Sequence, residues 1–175
     1  LLAVTGKALN LIGVFNIIST YRIGNDRFFQ INGGTKDGIR EGHYITFKGY
    51  MLGPVTRVTR NTTIAESVFN KKMKIDGSIV LRKESGRDME FIGICESLHG
   101  RSVFQFFTDE SKTYFGSMQG KIISSNGISD QFGKGFIIGT VSDFVSKKIN
   151  RYTFKIELPY DIMKIETVAV YDKVE

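Results

Sequence analysis

Two passages of this 175-residue chain carry the same glycine punctuation. Gly38-Ile39-Arg40-Glu41-Gly42-His43-Tyr44-Ile45 is followed by Gly53-Pro54-Val55-Thr56-Arg57-Val58, and Gly116-Ser117-Met118-Gln119-Gly120-Lys121-Ile122-Ile123 by Gly139-Thr140-Val141-Ser142-Asp143-Phe144. Both read G-x-x-x-G, a β-rich stretch, then G-x-V-x-x-[V/F]. Glycine reaches the positive φ angles of tight turns, and short apolar runs between turns read as strands. A chain built this way is expected to be all-β, from two related sets of strands. It is not expected to be a nucleotide-binding α/β enzyme.

The rest of the chain supports that class. Phe28-Phe29-Gln30-Ile31 ends a strand expected over residues 21–31, and Asn32 to Gly38 is a dense turn signal. Leu9 to Ile18 reads as a buried strand or pair of strands, or as the end of a helix entering the domain. Tyr44 to Lys48 and Leu52 to Thr59 are strands about a turn at Lys48-Gly49. Pro54 suits an edge or a strand entry, because proline cannot donate to a ladder. Asp76-Gly77 has the form of a type I′ hairpin turn. Phe91 to Cys95, Ser102 to Phe107, Arg151 to Leu158 and Ile165 to Tyr171 read as further strands. No segment shows a capped helical period, and eleven to thirteen short strands are expected, as one or two barrels.

Composition narrows function. The hydrophobic fraction of 41% and charged fraction of 24% are those of a globular protein. The chain opens on Leu1 rather than methionine, which raises the expectation of a longer parent polypeptide. The formal charge of +6 invites a nucleic-acid or membrane partner. Its distribution argues against both: residues 1–60 hold 8 Lys/Arg against 3 Asp/Glu, and the remainder is nearly balanced. The one dense run, Lys71-Lys72-Met73-Lys74, reads as a solvated turn or an anionic-surface contact.

Catalytic and metal patterns are weak. There is no phosphate-binding G-x-x-x-x-G-K-[ST] loop, and Gly133-Lys134-Gly135 reads as a turn. His43 and His99 are the only histidines, and neither sits in a hydrolase motif. Cys95 and His99 could supply two metal ligands or a thiol–imidazole pair, but a third ligand at suitable spacing is lacking. No cofactor, metal or catalytic residue is expected. Phe104, Phe106 and Phe107 lie near Tyr114 and Phe115 in sequence. Alternation puts Phe104 and Phe106 on one face and Phe107 on the other. The strand is then either part of a two-sided core or partly exposed to a partner, and these five aromatics are the candidate docking residues.

Four segments resemble the rod shape-determining protein MreC family. They are Ile31 to Gly42, Leu52 to Val58, Gly120 to Gly127, and Phe132 to Val141. Gly133 and Lys121 depart from the usual proline and aspartate. The resemblance implies two small β-barrel-like subdomains with glycine-rich turns at Gly38, Gly42, Gly53, Gly120, Gly127, Gly135 and Gly139. The first would be discontinuous, residues 1–60 plus 127–175. Residues 61–126 would form the inserted second.

It further implies a non-enzymatic scaffold of the cell-elongation, cell-wall-synthesis machinery. The domain would lie on the periplasmic face of the cytoplasmic membrane, anchored by an N-terminal helix. Implied partners are a class B penicillin-binding transpeptidase, membrane and cytoskeletal components of the complex, and other copies of the chain, but no nucleic acid. Exposed sheet edges, such as one at Pro54, would offer a route for self-association. The competing reading is an OB-type nucleic-acid-binding barrel, whose binding would fall steeply with salt.

Overall fold

The computed structural model describes residues 10–82, 85–108, 115–128 and 133–172, the side chains of 115 and 116 excepted. Its strands close into two six-membered rings. The first holds β1 (Leu11–Ile23), β2 (Asp26–Ile31), β3 (Tyr44–Phe47), β4 (Tyr50–Val58), β5 (Thr63–Glu66) and β12 (Thr167–Tyr171). Its order is β4-β3-β12-β1-β2-β5, and β5 returns to β4. The second holds β6 (Lys74–Arg82), β7 (Asp88–Leu98), β8 (Arg101–Phe107), β9 (Ile122–Ser125), β10 (Ile137–Lys148) and β11 (Arg151–Glu157). Its order is β11-β8-β7-β6-β9-β10, closed by β10 against β11. One parallel bridge, Ile137 to Tyr50, joins the rings.

This topology moves the expected boundaries. β10 and β11 lie within 127–175 but complete the second ring, and β5 lies within 61–126 but belongs to the first. The first ring is built from residues 11–66 and 167–171, with the second inserted as 74–157. Each of the twelve described strands has a neighbour on both sides, and stretches such as 79–82 of β6 and 19–23 of β1 pair on one side only. Pro54 sits where β4 leaves β3 for β5: it pairs with Tyr44, and Val55 pairs with Ala65. The adjacent Gly53 is a strand residue, not a turn. A Cβ there would run into the Glu66 carbonyl oxygen. Gly139 is likewise inside β10, where a Cβ would come within 2.5 Å of the Ile156 side chain. Gly38, Gly42, Gly120, Gly127 and Gly135 have φ between 72° and 93°.

Two further expectations change. Residues 21–31 are the end of β1 and all of β2, folded back at Gly24-Asn25. Asp76-Gly77 is no hairpin but the middle of β6, where Gly77 pairs directly with Gly93 of β7. Packing explains this glycine pair. A Cβ at Gly77 would lie 2.9 Å from both Cys95 Sγ and Ile123 Cγ2, and one at Gly93 would lie 2.8 Å from the Phe104 ring. The missing side chains leave room for the rings of β8.

Alternation along the strands fills each barrel. The second core is aromatic: Phe91, Phe104, Phe106, Tyr152 and Phe154 are buried, and Phe106 stacks on Phe154 at 5.9 Å and on Tyr152 at 5.7 Å. The first core is largely aliphatic, with Ile31, Ile45, Leu52, Val55, Val168 and Val170 around Phe29. Burying each such side chain contributes roughly 1.5–3 kcal/mol. Tyr44 of β3 and Met51 of β4 point into the second core, so the barrels interlock. Tyr44 meets Phe136 edge-on at 5.1 Å.

Candidate docking surface

The outer wall of the second barrel departs from the usual polar exterior. On β6, Ile75, Ile79 and Leu81 point inward, which turns Val80 outward. On β7, buried Phe91 and Cys95 leave Ile92 and Ile94 outside. On β8, Phe104 and Phe106 are fully buried, while Phe107 is 69% exposed. On β9, Ile123 is inside and Ile122 outside.

Register brings these residues together. Ile92 pairs with Ser78, and Ile94 with Gln105 on one side and Asp76 on the other. Continuing the β7–β8 ladder by one residue sets Phe107 beside Ile92, and Val80 and Ile122 both line the groove between β6 and β9. Val80, Ile92, Ile94 and Ile122 are 52, 48, 40 and 52% exposed. Five large apolar side chains thus cover four adjacent strands, and contiguous apolar surface of this kind marks an interaction site. Ile149, 93% exposed at the tip of the β10–β11 hairpin, extends the patch past Phe107. That tip is fastened to β8 by the Thr108 N–H donating to the Asn150 carbonyl at 3.0 Å.

The rim is charged. Asp88 and Glu90 border Val80 across a shallow groove from Lys121 and Lys134. Glu96 accepts from the Gln105 amide and pairs with Lys74 at 3.5 Å. An apolar centre within a polar rim is the usual anatomy of a protein–protein interface.

Of the five aromatics singled out in sequence, Phe107 is the one the structure shows on this surface. Phe104 and Phe106 are 0% exposed in the barrel core and cannot meet a partner. Tyr114 lies outside the described residues, and Phe115 opens a single helical turn, Phe115–Met118. Sequence reasoning passed over Val80, Ile92, Ile94 and Ile122. Their signal was present in Phe91-Ile92-Gly93-Ile94-Cys95, a continuous apolar run where a strand with one wet face would alternate.

Cys95 and His43, two groups with nucleophilic or metal-binding potential, are buried. Cys95 is buried, and burial pushes its thiol pKa far up, so it holds its proton. His99 sits at the β7–β8 hairpin tip with a φ of 49°. His43 Nδ1 accepts the Arg40 backbone N–H at 3.2 Å, so its proton is on Nε2, which faces Asp172 at 3.3 Å. Burial lowers the His43 pKa, against the opposing charge of Asp172 and with a smaller contribution from Arg40. Nδ1 thus holds the loop before β3 to itself, and Nε2 fastens that loop to the chain after β12. Among the described residues, no three His, Cys, Asp or Glu side chains are grouped to hold a metal ion.

Comparison with known proteins agrees with this architecture. Residues 17–172 match the family described as rod shape-determining protein MreC, barrel core. No curated protein sequence matches the chain. An MreC structure from Listeria monocytogenes superposes with a TM-score of 0.75 at 18% identity, covering 95% of this chain and 77% of that one. MreC from Pseudomonas aeruginosa gives 0.67 at 14% identity, covering 91% and 97%. The structure of a complex between penicillin-binding protein PBP2 and MreC from Helicobacter pylori contributes a chain matching at 0.61 and 10% identity, covering 95% and 99%. At these identities the structures speak for the fold, while the family match spans nearly the whole chain: the protein belongs to the rod shape-determining protein MreC family.

Proposed function

We propose that this domain is a non-enzymatic scaffold of the bacterial cell-elongation machinery, docking a class B penicillin-binding transpeptidase on the outer wall of its second barrel. The observation that carries the reading is the apolar patch of Val80, Ile92, Ile94, Phe107 and Ile122 on four adjacent strands. The MreC of the Helicobacter pylori complex, which shares this fold, is bound to PBP2 and supports the choice of partner. A related structure, the major periplasmic domain of the cell shape-determining filament MreC, supports placement outside the cytoplasmic membrane. Anchoring by an N-terminal helix, contact with other membrane and cytoskeletal components, and self-association belong to the same reading.

Binding of the domain to the extracytoplasmic part of the cognate transpeptidase, measured by interferometry at low and high salt, tests the proposal. Saturable binding that persists at high salt and weakens at least tenfold in Phe107→Ala or Ile92→Asp supports it. An affinity untouched by both substitutions would sink the assignment of the surface. Binding to single-stranded nucleic acid that collapses with salt would instead favour the OB-type reading.

A further inference from the structure

The two barrels also meet tip to tip, away from the apolar wall. The β1–β2 hairpin presents Gly24-Asn25 and the β7–β8 hairpin presents His99-Gly100. Asn25 Nδ2 would stand 3.9 Å from a Cβ built on Gly100. Between the tips lies a cleft of about 140 Å³. Arg22 and Arg27 line it, and they are direct cross-strand partners. Like charges placed opposite one another destabilise a ladder. No carboxylate lines the cleft, and no acid among the described residues forms an ion pair with either guanidinium. Asp26, the acid of the same hairpin, gives its carboxylate to the Lys71 backbone N–H at 2.8 Å.

The remaining lining is mostly polar, with Phe69 its one apolar side chain. Ser97 and Ser102, cross-strand partners on the facing hairpin, also line the cleft, and Asn25 brings an amide. The arginine side is held in place by Asn70. Its amide oxygen accepts the Arg27 backbone N–H at 2.7 Å, and its Nδ2 donates to the Arg27 backbone carbonyl at 2.9 Å. Two cations and several neutral donors, with no acid, form a site of one chemical sense.

We infer that the inter-barrel cleft binds a phosphate group, held by Arg22 and Arg27 from one barrel and by Ser97 and Ser102 from the other. Paired guanidiniums match the oxygens of a tetrahedral anion with short, charge-assisted hydrogen bonds. The volume is below that of ordinary small-molecule pockets, roughly 300–1,000 Å³. It therefore suits the phosphate group itself, free or carried on a lipid headgroup, and not a whole nucleotide. An occupant would add a tie between the barrels beside the 67–73 connection that joins β5 to β6.

The test is titration of the ¹⁵N-labelled chain with inorganic phosphate, chloride being adjusted to hold ionic strength constant. Saturating shifts confined to the amides around Asn25, Arg27, Gly100 and Ser102 are expected, with affinity falling at least tenfold in R22Q/R27Q. S97A/S102A, which keeps both guanidiniums, should weaken binding about threefold and serves if the arginine variant does not fold. Shifts scattered over other basic residues, or both variants binding like the parent, would overturn the site. Sedimentation with phosphatidylglycerol vesicles separates the sources. Vesicle binding abolished by R22Q/R27Q assigns the headgroup, and phosphate shifts without vesicle binding assign the free anion. Vesicle binding indifferent to R22Q/R27Q, with no phosphate shifts, would refute the inference.

Discussion

The two barrels solve one closure problem with opposite interiors. The first fills six strands with aliphatic side chains and turns its corners by partner exchange: β1 passes from β12 to β2, and β4 passes from β3 to β5. The second fills six strands with stacked rings and makes room by deleting two side chains, Gly77 and Gly93. Concentrating the rings inside has a counterpart outside, because Phe107 and the isoleucines of β7 stay on the wall. Branched aliphatic packing tolerates volume-conserving exchange better than a ring stack seated on bare backbone. The comparison thus predicts a less tolerant core, and a more interactive exterior, in the inserted barrel.

The largest expected effect comes from Phe106→Ala, which removes the ring at the centre of the stack and should cost about 3–5 kcal/mol in urea unfolding. Hydrogen exchange in the same variant would show β6 to β9 losing protection before β1 and β2. Equal loss everywhere would mean that Tyr44 and Met51 weld the cores into one cooperative unit, and the contrast between barrels would dissolve. Gly77→Ala should follow, at about 1–3 kcal/mol, because its methyl would press on Cys95 and Ile123. A neutral result would show that the glycine pair is incidental. Phe107→Ala should change stability by less than about 0.5 kcal/mol while weakening transpeptidase binding; unfolding would place Phe107 in the structural rather than the interactive part of the barrel.

The smallest effect concerns the first barrel. His43 is neutral when folded, with a pKa lowered from 6.5, so the unfolded chain takes up a proton first. Its contribution is complete above pH 6.5 and is lost as pH falls from there through the folded pKa. Protonating Nδ1 would also break the hydrogen bond from Arg40. Chemical denaturation at pH 7.5 and pH 5 should show this loss, and His43→Gln should flatten it.

Strand content was legible because alternation and glycine turns are local signals. The turn at Lys48-Gly49 has φ of 48° and 85°, as a type I′ turn requires. Asp76-Gly77 carries the same kind of dipeptide yet stays extended. What decides it is pairing with β7 on one side and β9 on the other, which no local pattern encodes. Closure was hidden for the same reason. β10 belongs to the second ring through Ile137–Ser124 and Val141–Ile156, and β5 to the first through Ala65–Phe29. Each pairing is settled by three-dimensional fit rather than by spacing. The docking wall was half legible: Phe107 stood out as an aromatic, whereas Ile92 and Ile94 read as ordinary strand residues until register set them beside it.

The order of strands in the chain also has a temporal consequence. β12 lies between β1 and β3, yet it follows everything from Glu66 to Thr167. As the polypeptide emerges, β1 to β5 must wait with an open seam, while the inserted barrel already possesses all six of its strands. The inserted barrel can therefore mature first. Once compact, it carries the two ends of the long excursion close together and shortens the loop that β12 must close. Synthesis begins with one barrel, and assembly ends with it.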